Sequence, residues 1–489
     1  MTERRTTGLT AVFAAMALAA CNAPTEKAAS PGETAPPADV AAPAAPQPDL
    51  ASIELSNPSE FARPDAVTML DLDVLGLAAD GMYRVEHKGA EVPSQLSDTD
   101  GDGNVDAIVF ITDFGPAERK TVEIVAGQAS APSKRTQAEV SIKEGGAWDG
   151  KVYKGGNFVN VDAVRPPPQA TDHSEFIRYE GPGIESDKVG YRVYLDWRNG
   201  FDIFGKTTHA MVLQDVGLDG YDSYHEPADW GLDILKVGEA VGVGGYGFWD
   251  GDQVVRVSET SGRATRVVEN GPLSSTLEIT YDDWQVPGHT TDLRALLTMQ
   301  AGSRLVHTRL EASPDLPNLA VGLVKHPDAE FIEGDLDISG HAWTYVATWG
   351  PQALADGDLG MVLLFRRGDR AEQTEDDHNF VSVLSSGNGK VEYYFGAAWS
   401  EEPGGIKSRE AFVEWLGREA EKLTMPLRGR VDKARAGISM RATGRRQQTT
   451  LTASCTNSSP CTPAVPFRCS TCARWPASAG AATAAAGTT

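Results

Sequence analysis

The sequence predicts a mainly β protein, with a small N-terminal β domain followed by a large antiparallel β-sandwich. Three observations carry that prediction. Short runs with apolar side chains at alternate positions recur from residue 51 to about 425, which is the period of a half-buried strand. Turn signals separate them: Asp250-Gly251-Asp252, Glu269-Asn270-Gly271-Pro272, Ala301-Gly302-Ser303 and Gly387-Asn388-Gly389. No sustained alternation of helix and strand occurs, which sets aside a doubly wound fold.

The first 21 residues are expected to be a leader. Arg4 and Arg5 precede an apolar run, Ala11 to Ala20, that closes in Leu18-Ala19-Ala20-Cys21. The run is too short to span a bilayer. Basic, apolar, small, then cysteine is the pattern of a bacterial lipoprotein signal, so residues 1–21 are expected to direct lipidation of Cys21. Asn22 follows in place of Asp, which resembles the sorting pattern for the outer membrane or periplasmic face of the cell envelope. Residues 22–50 are Ala, Pro, Glu and Gln with few large apolar side chains, and are expected to be a disordered tether. The formal charge of −24 disfavours nucleic acid as a partner. Hydrophobic and aromatic contents of 41% and 8% are those of a folded protein.

The first folded domain is placed at 51–130. Runs at Ile53-Leu55, Tyr83-Val85, Ala107-Thr112 and Thr121-Val125 read as strands. Between them lies SDTDGDGNVDAIVF. Asp98, Asp100 and Asp102 alternate, Gly103 supplies the turn, and Asn104 and Asp106 follow. This matches the first nine positions of an EF-hand-like loop. The twelfth position is Val109, so the bidentate closing Glu is missing, and a strand follows in place of a helix. The expectation is a structural Ca2+ in a β-loop, held by Asp98, Asp100, Asp102, Asn104 and Asp106. A solvated acidic turn is the plainer alternative.

The main domain is placed at 134–425. Its predicted strands are 176–179, 188–196, 254–258, 264–269, 273–281, 291–300, 304–312, 360–366, 381–384 and 391–399. One helix is expected over 408–423. Ser408 caps it, Phe412, Trp415, Leu416 and Leu423 form its apolar stripe, and Pro426 stops it.

The densest stretch is YRVYLDWRNGFDIFGK, 191–206, followed by YHEPADWGLDILKVGEAVGVGGYGFW, 224–249. Tyr191, Val193 and Leu195 fall on one side of a strand, and Arg192, Tyr194 and Asp196 on the other. Aromatic faces stack on sugar rings and charged forks bind hydroxyls and carboxylates, so this face suits carbohydrate. Arg178, Lys188, Arg192, Arg198 and Lys206 could together provide a local basic cleft for an acidic polysaccharide, although any single one of them reads better as a solvated strand-face charge.

These segments, together with SNPSEFARPDAV, YEGPGIESDKVG and YYFGAAWSEEPGGIKSREAFVEWL, resemble the bacterial family of domain of unknown function 4861 over about residues 52–425. The resemblance implies a galactose-mutarotase-like β-supersandwich and a place in polysaccharide utilisation. It carries no settled reaction, and fold alone does not choose one.

Candidate chemistry centres on His225, flanked by Tyr224 and Glu226. Elimination on a uronate needs a cation on the carboxylate, a base, and an acid for the leaving oxygen. Arg192 or Arg198, His225, and Tyr191 or Tyr224 are expected in those roles. Asp229, Trp230, Lys206, His209 and His326 are expected to contact substrate, His326 as a mutarotase-style histidine. Hydrolysis would need two carboxylates, for which Asp196, Asp202, Glu226, Asp229 and Asp233 all qualify. Trp230, Trp249, Trp343, Trp349 and Trp399 are further stacking candidates, although most tryptophans are packing. His341 and His378 are additional histidines. No HxxxH or HExxH spacing points to zinc. VGVGGYGFW lacks both dinucleotide and P-loop patterns. A glycan-binding protein without catalysis, or a mutarotase- or epimerase-like enzyme, remains an alternative to a lyase or hydrolase.

From Lys433 to Thr489 there is no Asp or Glu. Cys455, Cys461, Cys469 and Cys472 stand without apolar periodicity around them. This tail is expected to be unfolded, the product of a shifted reading frame.

Overall fold

Nine antiparallel strands form the largest sheet of the computed structural model, which describes residues 49–335, 343–385, 387–434 and 450–452. In spatial order the sheet runs Ala163–Val164, Gly262–Asn270, Ser274–Val286, His289–Gln300, Leu305–Ser313, Lys390–Trp399, Leu359–Arg366, Trp343–Gly350 and Glu330–Asp335. Two five-stranded sheets pack on its inner face. One is Gly231–Asp233, Phe201–Lys206, Val189–Val193, Gly183–Ser186 and Thr136–Glu139, and carries the site described below. The other is Val254–Arg256, Val243–Trp249, Asn318–Val324, Asn379–Ser385 and Arg370–Glu375. The predicted large β-sandwich is therefore present.

Its core follows from strand alternation. Tyr191 and Val193 point inward with Phe201 and Ile203, meeting Leu297, Tyr393 and Phe395 of the large sheet. Phe201 and Tyr191 each meet the Phe395 ring edge-on, at 5.5 and 5.1 Å. The predicted helix spans Arg409–Thr424. Ser408 Oγ accepts from the Ala411 amide, and Phe412, Leu416 and Ala420 are buried. Phe412 lies 4.9 Å from Trp349 on the sheet beneath.

Residues Asp49 to Ala126 build a smaller sandwich. A sheet containing Asp49–Ser56, Tyr83–His87, Ala90–Val92 and Arg119–Ala126 faces one of Arg63–Asp71, Ser94–Ser97 and Ala107–Phe114. Ile53, Val85, Ile108, Phe110 and Ile124 fill the space between. The chain returns to this unit at its far end, where Arg428–Ala434 pairs antiparallel with Asp49–Ser56.

Two expectations need correction. Residues 176–179 are not a strand: Arg178–Glu180 is a 3-10 turn with Tyr179 at φ 38°, because the side chains of both Arg178 and Tyr179 turn onto Glu139. Of the tail read as unfolded, Lys433 and Ala434 end a strand and Thr450–Thr452 pair with Arg428–Arg430. The rest of the tail, Cys21 and His341 lie outside the described residues.

Candidate active site

The outer face of the smaller, site-bearing sheet is charged, and residues 207–230 fold over it. Alternation sends Arg192 to this face, where it meets Asp202 from the neighbouring strand and Asp233 from the next. The guanidinium donates to Asp202 Oδ2 at 2.7 Å and to Asp233 Oδ2 at 2.6 Å. Tyr194 donates to the same Asp202 oxygen at 2.5 Å. The rings of Tyr194, Phe204 and Tyr224 pack on the cation at 4.8 to 5.3 Å. Arg192, Asp202 and Asp233 are all buried. Burial first, then the neighbouring Asp202, pushes the Asp233 carboxyl well above its ordinary range.

His225 stands at the edge of this cluster, about one third exposed, with Nε2 3.5 Å from Asp233 Oδ2. Nδ1 lies 3.0 Å from the Tyr221 carbonyl. A carbonyl only accepts, so Nδ1 carries the proton and Nε2 keeps its lone pair. A separation of 3.5 Å is too long for a formed hydrogen bond. Burial, and then Arg192, lowers the His225 pKa below its usual 6.5. The result is a neutral base at the surface, backed by a buried acid.

A second charged group adjoins it. Arg198 reaches Asp196 at 2.5 Å, Asp172 at 3.0 Å and Glu180 at 3.0 Å, and stacks on Tyr194 at 4.2 Å. Rings link the two groups: His173 lies 4.5 Å from Tyr221, which lies 4.8 Å from His225. Tyr221 is half-buried, and burial, with Glu180, raises its pKa. The backbone here is strained. Among the described residues nine non-glycines have positive φ, and five of them, His173, Glu175, Tyr179, Glu180 and Asn199, fall in this stretch. Such strain concentrates at functional sites. Trp197, beside Arg198, is 44% exposed, with Arg256 5.3 Å from its ring.

The predicted residues divide accordingly. His225, Tyr224, Arg192 and Arg198 are brought together, but three of the four cannot take the roles expected. Both arginines are spent on the protein's own carboxylates and are not free to clamp a substrate carboxylate. Tyr224 is buried over Arg192. Tyr191 is a core residue on the opposite face, donating to the Arg304 carbonyl and accepting from the Ala397 amide. Lys206 is fully buried against Glu185 and the Ser186 carbonyl, and burial lowers its pKa; no sugar reaches it. His209 sits at the far end of that strand from Asp202, on the Asp187 carbonyl. His326 closes a local turn by accepting from the Asp328 amide. Asp229 is exposed, and Trp230 packs edge-on against Phe204 at 5.8 Å. Trp249, Trp343, Trp349 and Trp399 are all buried. Tyr221, His173, Asp172, Glu180 and Trp197 were not singled out from sequence. The adjacent Asp172-His173 pair and the tryptophan inside the dense stretch were the available signals.

The acidic loop is ordered by its own carboxylates. Asp98 accepts from the amides of Gly101, Asp102 and Gly103, and Asp106 from Thr99. Ligand oxygens of Asp98, Asp100 and Asp106 fall within 4.8 Å of one another. Asp102 and Asn104 instead bond to each other at the exposed tip. The loop also docks on the large sheet, its carbonyls at Thr99, Asp100 and Gly101 accepting from Arg309, Arg294 and Arg266. Glu278 lies between Arg266 and Arg294. Beside this contact is a cavity of about 20 Å³ lined by Met69, Thr99, Glu269, Thr298 and His307. That is room for water, not for a sugar.

Comparison with known proteins places the chain. "Uncharacterized protein P7" of Formosa agariphila is 24% identical over 365 residues, 69% of this chain and 81% of that protein. Among solved structures, a protein in glycosyl hydrolase family 38 from Enterococcus faecalis aligns with TM-score 0.41 and 10% identity, over 78% of this chain and 47% of its own. An α-mannosidase from Enterococcus faecalis V583 aligns with the same score and identity, over 79% and 46%. The chain thus spans about half the length of those two structures. The model of the domain of unknown function DUF4861 matches residues 55–428, and the chain belongs to that family.

Proposed function

We propose that this protein is a carbohydrate-active enzyme that cleaves a uronate-bearing glycan by β-elimination, with His225 as base. The observation that carries the reading is His225 itself. Its Nδ1 proton is fixed on the Tyr221 carbonyl, Nε2 is left to accept, and the ring is neutral at a strained, partly exposed site. Nε2 would remove the proton α to the carboxylate. The C–O bond at the neighbouring carbon then breaks, a carbon–carbon double bond forms, and the leaving oxygen takes a proton. Tyr221, kept protonated by its raised pKa, replaces Tyr191 and Tyr224 as the donor. Hydrolysis by paired carboxylates is less well supported, since Asp196, Asp202 and Asp233 are locked on arginines.

A glycan screen that follows both the unsaturated-uronate absorbance and reducing-end release tests this. Absorbance growth that falls about 10²- to 10⁴-fold in His225→Ala is expected. The acid limb of kcat/KM should lie below pH 6.5 in the parent protein. Reducing ends without absorbance would reject elimination. The exposed Trp197 favours a second reading, a glycan-binding protein without catalysis. Binding by calorimetry with silence in both assay channels would establish that reading instead.

The acidic loop is proposed to hold a structural Ca2+ on Asp98, Asp100 and Asp106. Chelation is expected to lower Tm reversibly, corresponding to about 1–3 kcal/mol at millimolar calcium, and Asp98→Ala to abolish the response. An unchanged melting curve would leave a self-capped turn. Lipidation at Cys21 and anchorage to the outer membrane are likewise proposed; in that case Cys21→Ser should move the protein from the membrane to the soluble fraction.

A further inference from the structure

The elimination chemistry proposed above needs a positive charge on the substrate carboxylate, and neither Arg192 nor Arg198 is free to supply it. The group around Arg198 offers a place for one. Three carboxylates, Asp172, Glu180 and Asp196, surround that one guanidinium, leaving two negative charges uncompensated. Ligand atoms of Asp172, His173 and Glu180 lie within 4.8 Å of one another. Among the described residues, two buried carboxylate oxygens take no hydrogen bond, Asp172 Oδ1 and Glu180 Oε2, and both belong to this trio. Asp172 Oδ1 touches both Arg198 Nη1, at 3.0 Å, and His173 Nδ1, with neither N–H aimed along a hydrogen bond to it. Glu180 Oε1 is satisfied by the His173 amide and Arg198, whereas Oε2, on a side chain only 5% exposed, has no partner. A buried carboxylate oxygen without a donor is costly, and a divalent cation satisfies both oxygens while bringing the local charge to zero.

We infer that Asp172, His173 and Glu180 bind a divalent cation of the Zn2+ or Mn2+ type, one tyrosine ring away from His225, and that this cation takes the substrate carboxylate. The imidazole sets the metal class. Calcium takes oxygen ligands, as the Asp98–Asp106 loop offers, whereas an imidazole with two carboxylates suits zinc or manganese. The carboxylate-binding part of this inference rests on the elimination reading. The metal site does not, and it is tested without substrate.

The measurement is calorimetric titration of Zn2+ into the full chain in excess calcium, which saturates oxygen-only sites. One Zn2+ per chain is expected. His173→Asn, a residue that tolerates the left-handed backbone at φ 55°, and Glu180→Gln should each weaken it by about 100-fold or more. Circular dichroism and Tm of His173→Asn, whose side chain is about half exposed, report whether the fold is kept. Absence of binding in the parent chain overturns the inference. So does binding that persists unchanged in both variants, since it would lie on other histidines or on the cysteines at 455–472. Zinc bound as expected, with no glycan cleaved in the screen, would leave the metal site standing and remove the elimination reading alone.

Discussion

Arg192→Met is expected to cost about 3–5 kcal/mol of stability at neutral pH, the cost of leaving a buried charge without its partner. The guanidinium is the hub of three strands. Asp202 and Asp233 share it, Tyr194 donates to the same Asp202 oxygen, and three aromatic rings close over it. Methionine fills the volume but leaves two carboxyls facing each other. Urea unfolding at neutral pH measures the loss, and a further variant identifies its cause. The loss should shrink in the triple variant Arg192→Met, Asp202→Asn, Asp233→Asn, which removes the two carboxyls that Arg192 held. A loss below about 1 kcal/mol, the ordinary worth of an exposed pair, would mean that water reaches the cluster.

Glu269→Gln should act in the opposite direction at alkaline pH. Glu269 lies under the smaller sandwich, with both carboxyl oxygens 2.8 Å from one hydroxyl, Ser97 Oγ. Burial, aided by Asp98 and Asp106, raises its pKa from 4.5 to about 8. The folded state therefore holds a proton between those values that the unfolded chain has lost. The stabilisation from that proton is complete below pH 4.5 and disappears as pH rises to about 8. The full shift corresponds to roughly 5 kcal/mol as an upper bound. Glutamine cannot ionise, so the variant should melt higher than the parent at pH 8 and near or below it at pH 5. Equal pH slopes for the two proteins would show that Glu269 is solvated. Calcium in the adjacent loop should flatten the parent's slope, because it offsets the charge of Asp98 and Asp106.

What could be read from the sequence was local. The alternation at Tyr191, Arg192 and Val193 needs only neighbours along the chain, and it correctly divided core from polar face. The Ser408 cap and the stripe through Phe412 and Leu416 were equally self-contained. The acidic loop was legible as a loop, but its docking was not. Arg266, Arg294 and Arg309 meet it from strands more than 160 residues away, and nothing in a strand of alternating residues says what will cover its outer face. The same gap explains Lys206. Read as a solvated strand charge, it lies under the segment that follows it, where Glu185 and not water receives it. Tyr191 was misassigned because a tyrosine next to an arginine in sequence lies on the opposite side of a strand. His225 was found by its neighbours Tyr224 and Glu226, yet the partners that set its chemistry are Asp233, Arg192 and the Tyr221 carbonyl, two of them on separate strands. Glu180 ends a 3-10 turn whose first two residues, Arg178 and Tyr179, were read as strand, and His173 lies in the turn before it, where no element was assigned.

The pairing of Arg428–Ala434 with Asp49–Ser56 joins residues at least 372 positions apart. A chain synthesised from its N-terminus carries the Asp49–Ser56 strand open on one side until residues 428–434 have followed. An unpaired strand edge of that kind is a template for pairing with other chains, and closing so long a loop is slow. The first unit to leave the ribosome is thus the last to be completed. A chain that stops before residue 428 keeps the strands of the large sandwich yet leaves the Asp49–Ser56 edge unpaired, so residues 428–434 govern how well the small sandwich is protected from other chains.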